Sequence, residues 1–152
     1  MILNRLSRTD WIKAFGCGLG TALILSAIMI PVFRAGLSPM PKPLGLAFAQ
    51  KLSGAPLPLP AGLAFHLVWV TLWSVIFIVL FRNRLSFGRA AAFAAVLWLL
   101  VLVVFFPYVG WGFFGLAIGP KLILSALLTH GLFAVILWAL CRSFFDSKQR
   151  QT

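Results

Sequence analysis

Two imidazoles, His66 and His130, are the only ionisable side chains set well inside the apolar stretches of this 152-residue chain. An imidazole in such a run is costly enough to mark a functional candidate. Three roles suit it. A neutral ring can donate to a backbone carbonyl, or to a Ser or Thr on a facing helix, and so be structural. Both rings together can serve as axial ligands of a b-type haem. They can also form a polar spot for a lipid, a quinone or another small apolar solute. An aromatic follows each histidine three residues later, so Trp69 and Phe133 complete the candidate ligand-binding set. No metal site is expected apart from the two imidazoles of the haem reading.

Catalysis lacks its parts. Asp10 and Asp146 are the only acids, and both fall in polar flanks remote from either histidine. There are no paired carboxylates, no nucleophile with an adjacent base and no phosphate-binding glycine loop. No catalytic residue is assigned and an enzyme is not expected. Ion and proton pumps keep acidic groups within their spans; this chain has none there.

The elements that must position the histidines follow from composition. Hydrophobic residues make up 62% of the chain and charged ones 10%, against roughly 45–50% and 25% in a soluble domain. Four apolar runs, at about 11–33, 61–81, 90–106 and 122–140, approach the ~20 residues that carry a helix across ~30 Å of hydrocarbon. Their continuity excludes the alternation of barrel strands, and backbone groups in lipid must pair internally. The fold class predicted is all-α: a single integral membrane four-helix bundle covering residues 1–152. The first run starts like a signal peptide, but its length and lack of a cleavage site predict a retained helix.

Charge sets the orientation. Of 13 Lys and Arg, nine flank one side (Arg5, Arg8, Lys13, Arg82, Arg84, Arg89, Arg142, Lys148, Arg150) and four the other (Arg34, Lys42, Lys51, Lys121). Cytoplasmic loops carry the excess, which predicts both termini inside. The net charge of +11 is dispersed, with no basic patch, so nucleic acid is not expected as a partner. Anionic lipid headgroups are the expected counter-charge, at about 1 kcal/mol per Lys or Arg. Trp11, Tyr108 and Trp111 fall where interfacial aromatics belong; Trp69, Trp73, Trp98 and Trp138 lie deeper.

Outer loops are expected at 34–60 and 107–121. In the first, prolines at 39, 41, 43, 56, 58 and 60 bracket Leu44–Leu52, a stretch that predicts a short surface helix. A re-entrant or partner-binding segment is the sharper alternative. The second loop is aromatic and glycine-rich, and is expected to dip into the interface or cap the bundle. The chain also reads as a doubled hairpin. Each half has a Phe-Gly pair (Phe15-Gly16, Phe87-Gly88), a proline-glycine outer turn, and a descending helix carrying a histidine and ending in Arg82 or Arg142.

Gly16 and Gly20 make a GxxxG spacing that predicts close helix packing, within the chain or with another. Ser26, Thr71, Ser74, Ser125 and Thr129 are the available donors between helices. Cys17 and Cys141 both fall near the cytoplasmic face, where thiols stay reduced, and are expected to be small packing residues. For haem, an up-down bundle puts the second and fourth helices on a diagonal, roughly 14 Å apart for neighbours at 8–10 Å. Arg34 and Lys121 would meet the propionates. Counted from Arg82 and Arg142, the histidines differ in depth by about 6 Å at 1.5 Å per residue.

Leu57–Pro60 running into Gly62–His66, Pro107–Phe114, and Ser125 running into His130-Gly131 resemble small bacterial four-pass membrane proteins of uncharacterised families. The resemblance spans most of the chain through short apolar motifs. It implies the four-pass topology and a bacterial inner-membrane location, and no activity. The expected role is an accessory or structural subunit packing against another membrane protein or a second copy. The alternative is a binding protein for b-type haem, through His66 and His130, or for a small apolar solute or lipid.

Overall fold

The computed structural model describes residues 7–145; Asp146 and the flanking cations Arg5, Lys148 and Arg150 lie outside them. The described residues form helices and turns without strands. Four helical segments are long and apolar enough to cross a membrane: 8–34, 59–84, 87–108 and 121–145. Each exceeds its apolar run because capping and i→i−4 bonds carry the helix into polar flanks. Helix α1 (Arg8–Arg34) starts at a capping box, with Ser7 and Asp10 satisfying each other's backbone N–H. Helix α3 (Leu59–Phe81) starts behind Pro58 with Pro60 in its first turn, where a missing N–H costs nothing.

Helix α2 (Leu44–Ser53) occupies the first outer loop and ends on left-handed Gly54. It packs on α3 at a glycine pair. A Cβ on Gly62 would sit 2.5 Å from Leu46 Cβ, and one on Gly45 would sit 2.8 Å from the Gly62 carbonyl. Lys42 Nζ donates to Gln50 Oε1, and Gln50 Nε2 to the Leu57 carbonyl, both at 2.9 Å. These bonds join the two proline-rich arms of the loop.

The third span is continuous but not uniform. Helix α4 (Phe87–Leu100) begins at a Ser86 cap and passes into one wide π turn, Val101–Phe105, then into α5 (Phe106–Tyr108). In the wide turn the Phe106 N–H reaches the Val101 carbonyl. Pro107 explains its place: a proline has no N–H to donate and crowds the carbonyl four residues back, and widening the turn moves that carbonyl away.

The loop between the third and fourth spans folds back as a compact turn. Trp111 is buried against Phe106, with ring centroids 5.4 Å apart, and the Ala117 N–H returns to the Trp111 carbonyl. Trp111 is thus covered by its own loop rather than set out as an interfacial anchor. Gly110, Gly112 and Gly115 supply positive φ, and Phe114 adopts it too, at 58°.

Helix α6 (Lys121–Phe145) closes the bundle. Helix α1 packs along both α3 and α6, and α4 along α6, whereas the α3 and α4 backbones stay apart. Rings fill that seam: Trp69 meets Phe105 at 4.8 Å, Trp73 meets Phe93 at 6.0 Å, and Phe77 meets Phe93 at 5.4 Å.

The closest approach on α1 falls on Gly18, not on the Gly16–Gly20 pair. A Cβ on Gly18 would stand 3.0 Å from the Thr71 carbonyl; Gly20 lies against Leu140, and Gly16 is exposed with nothing near it. The hydroxyl groups also differ from expectation. Ser26, Ser74 and Thr129 donate to carbonyls four residues back in their own helices, as does Thr21. In lipid a hydroxyl can satisfy itself on its own helix, so these side chains leave the contacts between helices mainly to van der Waals packing, although Trp98 Nε1 of α4 donates to the Ile123 carbonyl of α6 at 3.3 Å.

Candidate functional site

A cavity of about 450 Å³ opens among all four spans and the α2 segment, and both histidines line it. Trp69 and Phe133 line it as well, so the four residues with candidate ligand roles share one wall system. From the other elements come Leu25, Met29 and Phe33 of α1, Leu44 and Gly45 of α2, and Val101 and Phe105 of the π turn. The lining of α3 runs from Leu59 to Trp73, about 21 Å along a helix. The cavity is therefore elongated, lies in the α2 half of the bundle and is largely apolar. Its size falls within the roughly 300–1,000 Å³ common for small-molecule sites.

The histidines sit at similar depths. His66 is seven residues into α3 and His130 nine into α6, so both lie about 10–14 Å from their helix starts at 1.5 Å per residue. Counted from this end, the offset shrinks to about 3 Å.

Their hydrogen bonding differs. His130 Nδ1 is 2.7 Å from the Ala126 carbonyl, one turn back. A carbonyl only accepts, so Nδ1 carries the hydrogen and Nε2 is left as an acceptor. His66 Nε2 is buried and meets no partner among the described residues, and the same is true of Trp73 Nε1. Both belong to residues of the cavity wall. A buried polar atom left unpaired costs about 1–3 kcal/mol, so two on one wall are a chemical demand on whatever enters. Trp73 can only donate; His66 Nε2 donates or accepts according to tautomer.

At the loop end the wall includes Arg34 and Ser38, with Pro43 and Pro60. Phe48 of α2 binds this wall to the rest of the bundle. Its ring stacks on Phe65 at 4.8 Å and on Phe105 at 4.9 Å, and approaches Tyr108 at 5.0 Å. Phe48, Gly45 and Gly62 were not among the sequence candidates. The proline bracket around α2 signalled a fixed segment, but nothing in the local pattern identifies which helix it meets.

Asp10 remains apart from the site. Asp10 pairs with Arg82 at 2.9 Å at the opposite end of the bundle, tying α1 to α3. Among the described residues no group of three or more His, Cys, Asp or Glu side chains gathers to hold a metal ion. What the arrangement offers is orientation: a largely apolar slot whose wall carries two histidines, His66 and His130, and two tryptophans, Trp69 and Trp73.

No protein-family model, curated protein or solved structure matches the chain. The fold therefore supplies the class by itself: a small all-α protein whose four long apolar helices suit a membrane.

Proposed function

We propose that this protein binds an elongated, mostly apolar molecule with a neutral polar head, held among the four helices. The observation that carries the reading is the pair of unpartnered buried atoms, His66 Nε2 and Trp73 Nε1, on the wall of the 450 Å³ cavity. The head must present an acceptor, such as a carbonyl oxygen, to Trp73, because an indole only donates. A hydroxyl on the same head would suit His130 Nε2. Hydroxylated lipids with an ester carbonyl combine these groups with a tail fit for a slot of this section about 21 Å long; an isoprenoid quinone supplies the acceptors alone. No chemical step is part of the proposal.

Extraction tests it. Protein purified in mild detergent is extracted with organic solvent, and the extract is compared by mass spectrometry with that of His66→Phe. A molecule recovered near one per chain from the native protein and lost from the variant supports the reading. Equal recovery from both, or none from either, overturns it.

Haem is the second reading, favoured by one observation. The Nδ1–H of His130 bonded to a carbonyl is the tautomer that leaves Nε2 for a metal. An absorption spectrum of the same preparation decides. A Soret band lost on His130→Ala replaces the lipid-like occupant with haem, and a colourless sample removes haem.

An accessory role beside another membrane protein is compatible with ligand binding. Support for it is confined to the open α1 face around Ile12, Phe15, Gly16 and Leu19, all exposed, a surface that lipid also suits. The inside placement of the termini rests on the charge count, and the bacterial inner membrane on the resemblance to four-pass families.

A further inference from the structure

At the end of the bundle away from the cavity, two sulfur atoms face each other. Cys17 Sγ on α1 and Cys141 Sγ on α6 are 3.3 Å apart, both side chains fully buried and both thiols free. They are 124 positions apart in sequence, so only the fold brings them together. We propose that Cys17 and Cys141 form a reversible redox site, closed to a disulfide by a lipid-soluble two-electron oxidant of the quinone class.

The geometry suits closure. A disulfide needs its sulfurs at 2.03–2.05 Å and Cβ atoms near 3.8 Å, so the sulfurs must approach by little more than 1 Å. The base is tightly packed at this level, so the approach falls to rotation of the two cysteine side chains. Cys17 stands between Gly16 and Gly18 with Gly20 one turn on, so its own helix offers no bulky neighbour to displace. Gly16 is exposed with open space around it, which thins the cover over this stretch of α1 on the side facing lipid. Lys13, one turn before Cys17, donates to the Phe144 carbonyl at 3.1 Å and holds α1 and α6 together at this level.

Burial selects the oxidant. The thiolate is the reacting form and apolar surroundings disfavour it, which protects the pair from water-borne reagents. A quinone dissolved in the membrane arrives from the lipid side. The two S–H bonds break and one S–S bond forms. Both electrons and both protons pass to the quinone, which leaves as the hydroquinone. A dithiol reverses the change by thiol–disulfide exchange. The product links α1 to α6, the two helices that supply Leu25–Arg34 and Ala126–Phe133 to the cavity wall.

The test uses the full chain in mild detergent and tetramethyl-benzoquinone, whose substituted ring does not add thiols. Intact mass should fall by two hydrogens, free thiol in denatured aliquots should disappear, and dithiothreitol added to those denatured aliquots should restore both. Closure should run at least about tenfold faster in the folded protein than in SDS-unfolded chain, because the fold supplies proximity. Cys17→Ser and Cys141→Ser should each abolish the product. The proposal is overturned by an unchanged mass, by equal rates folded and unfolded, or by disulfide-linked dimers in place of the internal bond. Closure by aqueous copper phenanthroline but not by the quinone overturns the lipid-soluble oxidant. None of these readouts depends on what the cavity binds.

Discussion

The two ends of the bundle solve the problem of packing in lipid in opposite ways. At the Asp10–Arg82 end, Cys17, Phe77, Ile78, Leu137 and Cys141 are all fully buried, and the helices are held by an ion pair and by the Lys13 bond to Phe144. At the α2 end the same helices diverge around a cavity, and an extra helix and a folded loop close that end. One end spends its side chains on contact, while the other leaves room and keeps polar atoms unpaired. That division suits a rigid base carrying a receptive site, since local stability is lowest where ligands enter.

Substitutions can sharpen this contrast. The largest effect on stability is expected from Phe77→Ala at the packed end. In lipid the transfer contribution largely vanishes and the void dominates, giving a loss of about 2–3 kcal/mol. Unfolding in mixed SDS micelles measures it, and a loss below that of a cavity-lining Leu63→Ala would erase the distinction. Gly62→Ala comes next. Its Cβ would meet the Leu46 backbone at 2.7–2.8 Å, so α2 must shift, at about 1–2 kcal/mol. The sign to look for is faster proteolysis within residues 34–60, with the base of the bundle intact.

Asp10→Ala removes the acidic half of the capping box and an ion-pair partner of Arg82, and is expected to cost about 1 kcal/mol. Salt should lessen the ion-pair part of that loss. The smallest effect on stability belongs to Ala126→Leu, a cavity-lining residue in α6. Filling apolar space shifts stability by about 1 kcal/mol or less, in the stabilising direction. Binding, measured by solvent extraction, should nevertheless be lost. If extraction recovers the same molecule from this variant, the occupant does not lie beside His130.

The spans were legible because hydropathy and length are local properties, and each run extended only to the next cap. Bringing His66 and His130 to one cavity also follows from a sequential up-down topology. What local patterns hide is which faces meet. In a soluble helix the polar side betrays the buried one; here both sides of α1 and α3 are apolar, so Gly18 and Gly16 look alike although one is packed and the other open. The α2–α3 contact rests on two glycines seventeen positions apart, and the sulfur pair on residues at opposite ends of the chain. Only three-dimensional packing selects such pairs.

The wide turn at Val101–Phe105 has a genetic corollary. A π turn is in effect an α-helix that has gained one residue, so removing a single codon there should restore regular winding. In a regular α-helix such a loss would turn everything downstream by about 100°; at the wide turn the residue lost is the extra one, so the faces downstream keep their direction. Trp111 would keep its seat beside Phe106, while Pro107 would again crowd the carbonyl four residues before it. One deletion in this short stretch should therefore do less harm than a deletion anywhere along α4.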